Sequence, residues 1–365
     1  MKTLPIILFL FSILLFTSCD SEDPIVDEEE EMTLPEKFDV VGVFEMNDGP
    51  TDLAVKDNFA FAGRDDKIYV IDLSNVNSPA LIATIDDVQN TNIFQQLLVE
   101  GDYLYAACSG SSGIYVIDVA NAATPIIQYK YLDDIVTGNK LKAFSLFYEN
   151  NTLWAGGSNG QNAFLVEYKV AANGELTQQN NSISPQSGNA IGGVWANNNH
   201  VFISMANGYV NAFDKTDINA GPVGSYTFTN EPGHEHWGRA LVGHGNELYW
   251  ADWGAGFVTI DISDPNNLVA SNTITHSSFT TQHASAEGTN VYDIAFDAST
   301  NSIYLANGWS GLLEVKASST NLVNDYVDYK DNMYRCIALY GNYVLTGDIA
   351  AGTTDVKGVK IIKVK

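Results

Sequence analysis

Five of the six histidines in this 365-residue chain fall within fifty residues: His234, His236, His244, His276 and His283. Imidazole changes charge near neutral pH and is a frequent metal ligand, so this is where the chain is richest in possible chemistry. His234 and His236 stand in NEPGHEHWGR (230–239), and His276 and His283 in THSSFTTQHASAEGTN (275–290). His244 stands in ALVGHGN. Nearby come Trp237, Arg239, Asp252 and Trp253, then Trp309 in NGWSG, Arg335 in MYRC and Asp348 in GDIAAG. Three readings fit these types. HEH at 234–236 with carboxylates can hold a divalent metal, since imidazole and carboxylate suit zinc and its neighbours. Its spacing is unspecific, however, and neither HExxH nor CxxC accompanies it. Trp237, Trp253 and Trp309 with polar anchors can form a floor for a sugar or peptide. Alternatively the tryptophans pack structural units together while His and Arg satisfy backbone groups.

Hydrolytic chemistry finds little footing. GGSNG (156–160) fits GxSxG by its letters, but it leads into the strand-like AFLVEY rather than the helix of a nucleophile elbow, and no cysteine stands in a nucleophile context. The glycine-rich SGSSG (109–113) leads into a strand-like run rather than the helix that a phosphate loop requires. No cofactor is expected, and which metal, if any, is held stays open.

The elements that must position these residues repeat. A turn-forming Asn or Asp followed by a hydrophobic burst recurs as NFAF (58–61), DYLY (102–105), NTLW (151–154), NHVF (199–202), NELY (246–249), NSIY (301–304) and NYVL (342–345). Successive starts lie 44, 49, 48, 47, 55 and 41 residues apart. A period near fifty with strand-like content reads as a propeller or solenoid. In the first unit DLAV, NFAFAG, KIYVIDL and ALIATI are separated by turn residues, which is an antiparallel meander and the build of a propeller blade. The reading is an all-β, seven-bladed β-propeller of four-stranded antiparallel blades over residues 37–365. The last unit stops after its third strand, and an orphan strand, FDVVGVFEM (38–46), precedes the first. That N-terminal strand is expected to close the last blade.

A second mark lies on the third strand, as IYVIDLSNVNSP (68–79), IYVIDVANAATP (114–125) and FVTIDISDPNNL (257–268). Glu167, Asp214 and Glu314 keep an acid in register, and the last copy has Lys363 there. An acid ending a strand can accept hydrogen bonds from the next turn's backbone, so the register has a structural explanation. These copies resemble the LVIVD-repeat β-propeller lipoprotein family, bacterial and archaeal surface proteins named for such a strand. The resemblance implies a propeller on a cell surface and carries no shared catalytic residues. In such a propeller, the loops between second and third strands and those between blades share one end. The candidate residues should gather there, with His244 at the opposite end.

Residues 1–18 read as a signal peptide: Lys2, then an apolar run from Leu4 to Phe16 that is too short to span a bilayer. Phe16-Thr17-Ser18-Cys19 resembles a lipobox, which implies lipidation of Cys19. Residues 20–36 carry nine acids and no base, the composition of a disordered tether. An acidic stretch beside the lipidated Cys also resembles the signal that sends some lipoproteins to the outer face of the outer membrane. Cys108 and Cys336 read as buried free thiols. A net charge of −26 argues against nucleic acid or anionic lipid as a partner, since both need basic surface. The expectation is a surface-anchored, non-enzymatic binding or scaffolding protein on the outer membrane, touching the membrane through its lipid anchor only. Its loop-rich end would engage an outer-membrane protein complex or an extracellular glycan or peptide ligand. The alternative is an enzyme or metal-binding protein acting on a carbohydrate or small molecule at the same end, with His234, His236, Asp252 and Arg335 nearest the chemistry.

Overall fold

The computed structural model describes residues 38–86, 94–109, 113–132, 141–158, 162–179, 190–228, 236–254, 256–275, 290–308, 311–317, 325–327, 333–349 and 357–364. Residues 37–365 form one compact unit. Its first strand is β1 (Phe38–Glu45). Blade one is β2 (Asp52–Lys56), β3 (Phe59–Arg64), β4 (Lys67–Asp72) and β5 (Ala80–Asp86). Blade two is β6 (Phe94–Glu100), β7 (Tyr103–Cys108), β8 (Ile114–Asp118) and β9 (Ile126–Tyr131). Blade three is β10 (Lys142–Glu149), β11 (Thr152–Ser158), β12 (Ala163–Val170) and β13 (Leu176–Gln178). Blade four is β14 (Ile191–Ala196), β15 (His200–Met205), β16 (Tyr209–Asp214) and β17 (Gly224–Thr227). Blade five is β18 (Trp237–His244), β19 (Glu247–Trp253), β20 (Gly256–Asp261) and β21 (Val269–Thr275). Blade six is β22 (Asp293–Asp297), β23 (Ser302–Ala306), β24 (Leu312–Lys316) and β25 (Asp325–Val327). Blade seven begins with β26 (Tyr334–Tyr340), β27 (Tyr343–Asp348) and β28 (Gly358–Val364).

Each blade is an antiparallel meander of four strands, and the fourth strand of blade seven is β1, paired with β28 from Phe38↔Val364 to Glu45↔Gly358. The closure expected from the orphan strand is therefore present. The sevenfold phrase is the hairpin turn into each second strand. Asp57, Gly101, Asn151, Gly245, Asn301 and Gly341 all take positive φ there, which glycine accepts freely and Asn and Asp accept best among the rest. In blade four the Asn197 side chain instead accepts the Asn199 and His200 N–H groups at 3.0 and 2.8 Å.

Second and third strands are sandwiched between blades and read as continuous apolar runs, such as the fully buried Ala60-Phe61-Ala62. The outer strand β9 alternates, with every second residue exposed. The core is a ring of seven inter-blade seams. One joins Phe61 and Val70 to Leu97, Leu104 and Ile117, and another joins Leu53, Ala60 and Ile71 to Leu345, Val359 and Ile361 across the closure. At that closure Gly42 is obligatory, because a Cβ there would lie 1.8 Å from the Val76 carbonyl oxygen of blade one.

The acid register has the structural role expected of it. Asp72, Asp118, Asp214 and Asp261 each accept the N–H two residues on, from Ser74, Ala120, Thr216 and Ser263, at 2.8–2.9 Å. Hydrogen bonds from Ser74, Thr216 and Ser263 hold Asp72, Asp214 and Asp261 below the ordinary carboxylate range. The glutamate copies, too long for that turn, pair with lysine instead: Glu167 with Lys169 at 3.2 Å and the buried Glu314 with Lys316 at 2.6 Å. Lys363 stands opposite Asp39 across the closing pair, a favourable cross-strand combination. Cys108 and Cys336 are buried and take part in no disulfide among the described residues.

Candidate functional site

The inner strands carry the site through a repeated irregularity. Strands β6, β10, β14, β18 and β26 each shift register near their N-terminal ends, between Phe94/Gln96, Ala143/Ser145, Ile191/Gly193, Gly238/Leu241 and Tyr334/Cys336. A bulge leaves a residue unpaired and re-aims its side chain. The residues skipped are Gln95, Phe144, Gly192, Arg239 with Ala240, and Arg335. In blades one and six the equivalent residues are Thr51 and Tyr292, just ahead of β2 and β22. All seven positions line a single cavity of about 110 Å³ at the end where the chain enters the inner strands.

In blades one, two, three and six the next residue stitches that ring together. Asp52 accepts the Leu97 N–H of blade two, Gln96 that of Leu146 (2.6 Å), Ser145 that of Val194 (2.9 Å) and Asp293 that of Ile337 (2.9 Å). In blade four the position is Gly193, where a Cβ would lie 2.9 Å from the Leu241 nitrogen. One position further on come the buried Leu53, Leu97, Leu146, Val194, Leu241, Ile294 and Ile337, one per blade. Aligning TDLAV, QQLLV, FSLFY, GGVWA, RALVG, YDIAF and RCIAL on that aliphatic residue would have exposed both rings from the sequence.

Asp52 and Asp293 belong to the two blades flanking Cys336. Burial pushes Asp293 up to about 7, against bonds from the Ile337 and Ile294 N–H groups that pull it down. Burial first, and Asp293 second, raise Asp52 well above the usual range. The Cys336 thiol is raised by burial and then by both carboxylates, so it is an inert packing group rather than a nucleophile.

The signs give a test. A folded carboxyl at about 7, against an ordinary 3.8, binds its proton more tightly folded than unfolded, so its contribution to stability falls as pH rises from about 4 to 7 and is flat above. Asp293→Asn keeps an acceptor for Ile337 and removes the buried charge. It should stabilise the fold at pH 8 by roughly 1–3 kcal/mol, the linkage value discounted because the carboxylate lines a cavity, and by much less at pH 5. Calorimetry at both pH values checks this; destabilisation at pH 8 contradicts it.

Several of the residues singled out from the sequence do converge. The Arg239 guanidinium lies 5.3 Å from the Trp237 ring centroid and 5.5 Å from that of Tyr292, and Arg335 lies 5.8 Å from Tyr292. The Tyr292 hydroxyl accepts the Trp253 indole N–H at 2.8 Å, and an isolated bridge from Trp253 to Asn290 joins blade five to the start of blade six. His236 meets the fully buried Asp252 at 3.3 Å through Nδ1. That bond raises the histidine pKa. Burial, then the like charge of Arg335, push Arg239 down to about 10, which leaves it charged at neutral pH.

Asp348 is elsewhere. It is fully buried inside blade seven, 2.6 Å from Lys360 Nζ, and accepts the Met333 N–H at 3.1 Å; it does not line the cavity. His244 packs on Phe296 at the other end of β18. His234, His276, His283, Trp309 and Cys19 lie outside the described residues. Among those described, no three His, Cys, Asp or Glu converge as metal ligands. The sequence reading missed Tyr292, Asp52, Asp293, Gln95, Gln96 and Phe144, all of which line the cavity.

The LVIVD repeat model matches residues 50–87, 94–133 and 241–275, which are blades one, two and five. No curated protein matches the sequence. Among solved structures, Raptor from Chaetomium thermophilum is 11% identical with a TM-score of 0.66, over 90% of this chain and 30% of that one. The Cps50 (Swd1) β-propeller domain of Myceliophteria thermophila is 11% identical with a TM-score of 0.65, over 90% of this chain and 100% of that one. The computationally designed Ika8 protein is 14% identical with a TM-score of 0.55, over 89% of this chain and 99% of that one. The chain thus spans less than a third of the Raptor chain, and at these identities the likeness is one of fold alone. With four-stranded blades and an N-terminal strand closing the ring, the chain is a seven-bladed β-propeller that carries LVIVD repeats in blades one, two and five.

Proposed function

We propose that this protein is a non-enzymatic binding or scaffolding lipoprotein, anchored through Cys19 to the outer membrane and facing outward on its acidic tether. Its loop-rich end engages an outer-membrane protein partner or an extracellular ligand. The observation that carries this reading is the cavity itself: seven blades each aim one bulged or strand-entry residue at the same space. Trp237, 39% exposed beside it, offers the amphipathic aromatic surface on which recognition sites rely. A rigid ring holding variable groups at one end is a recognition scaffold.

Capture from solubilised outer membrane tests the reading. The full chain should retain a partner in stoichiometric amount, and Trp237→Ala should lose at least tenfold of it, as expected of a central aromatic anchor. Equal capture by the two proteins would contradict it. The enzymatic alternative draws on one observation, the His236–Asp252 pair, which resembles an oriented general base. Turnover of a carbohydrate substrate that is abolished in His236→Ala would favour that alternative.

A further inference from the structure

The arginines of the cavity stand out against the charge of the chain. Acids outnumber Lys and Arg by 44 to 18, and cations elsewhere find them readily. Seven described lysines each hold a carboxylate, and Arg64 faces two. The other two arginines of the chain, Arg239 and Arg335, have no ion pair or hydrogen-bonded side-chain partner among the described residues. Arg239 Nε is buried without a hydrogen bond. Two guanidiniums near one tyrosine ring repel each other, and the repulsion is relieved by an anion placed between them.

The acids in the wall do not serve as that anion. Asp52 and Asp293 already accept backbone N–H bonds from Leu97 and Ile337, and neither is within ion-pair distance of an arginine. The rest of the lining is neutral and of mixed polarity: the Phe144 ring, Trp237 at the side, and the amides of Gln95 and Gln96, which bond Ser109 Oγ and the Leu146 N–H through Nε2 and Oε1 and keep Gln95 Oε1 and Gln96 Nε2 for a ligand. Around two cations, that set of hydroxyl-directed amides and aromatic faces matches a sugar ring more closely than a bare inorganic ion. The space, about 110 Å³, is room for roughly four waters at their liquid volume, enough for a carboxylate and part of a sugar ring whose remainder lies against the exposed Trp237.

We infer that the axial cavity is a subsite for an acidic sugar, whose carboxylate lies between Arg239 and Arg335 while its ring meets Trp237 and its hydroxyls meet Gln95 and Gln96. The guanidinium forks match a carboxylate in geometry as well as in charge. This rests on the binding reading above and gives it a ligand class.

Calorimetric titration of the full chain in detergent tests it, with methyl β-D-glucuronide, methyl β-D-glucoside and inorganic phosphate as probes. The glucuronide should bind at least tenfold more tightly than the glucoside, and Arg335→Gln should weaken it at least tenfold with the melting temperature kept. Arg239→Gln should do the same; because Arg239 Nε is buried, Arg335→Gln keeps the test alive if that variant fails to fold. Equal binding of the glucoside, tighter binding of phosphate, an unaffected Arg335→Gln or no binding at all would each overturn the inference. If the glucuronide fails while partner capture still depends on Trp237, the acidic-sugar subsite falls and the binding reading stands. If both fail, both fall.

Discussion

Removing residues 38–46 should cost the propeller more than about 5 kcal/mol, a fall of about 10 °C or more in melting temperature, or abolish folding altogether. The deleted strand supplies one edge of blade seven, paired with β28 along its length. It also supplies apolar contacts on both sides. Phe38, 2% exposed, meets Tyr304 edge-on at 6.5 Å, while Val41, Phe44 and Met46 pack into the seam with blade one. Each such side chain contributes roughly 1.5–3 kcal/mol when fully buried, and the backbone bonds of β28 would be left as an open edge. A peptide of residues 37–47 added in trans should recover part of the loss. Thermal melting of the truncation that matches the full chain would sink the closure.

Lys360→Met should destabilise by roughly 3–5 kcal/mol, because it strands the carboxylate of Asp348, which is 0% exposed, beside an apolar neighbour. Lys360 itself is 8% exposed and lies over the Tyr334 ring at 5.6 Å, so its loss also removes packing. Adding Asp348→Asn to Lys360→Met should return much of the stability, since the uncompensated charge is gone. Chemical denaturation of the two single variants and the double variant closes the cycle. Additive single effects would show that the two groups do not act as a pair. The same series separates Asp348 from the cavity: Asp348→Asn, corrected for stability, should leave ligand binding unchanged.

These two sites show why some of the molecule is legible in the sequence and some is not. The second-strand phrase repeats because its turn demands a left-handed residue in six blades, met by Asp57, Asn151 and Asn301 or by glycine, and the Asn197 side chain in blade four. That demand is local, so the sequence carries it openly. Closure is legible for a similar reason, as one unit lacks a strand and another segment has one to spare. The cavity is not. Its seven positions hold Thr51, Gln95, Phe144, Gly192, Arg239, Tyr292 and Arg335, and only arginine occurs among them twice. What recurs is the bulge that aims five of them and the aliphatic residue two places on in all seven, features of register rather than of chemistry. Asp348 misleads by its setting, because GDIAAG resembles a loop acid while its strand turns the carboxylate into the blade toward Lys360.

The convergence at Tyr292 follows from the same register. Trp237, Arg239 and Trp253 come from blade five, Tyr292 opens blade six, and Arg335 is bulged from blade seven. Three successive blades therefore supply the guanidiniums and the rings around them, and blades one to three supply the polar rim opposite. The ring has one cationic arc in an acidic body, which would fix the orientation of the acidic sugar proposed above.

Amide hydrogen exchange on the full chain, free and captured in its outer-membrane complex, tests most directly whether this end is the one that binds. Protection should rise in segments 95–97, 144–146, 237–242 and 292–294, which line the cavity, and stay unchanged in the hairpins at 56–58, 100–102 and 244–246 at the opposite end. Protection confined to those opposite hairpins, with the cavity segments unaltered, would contradict it.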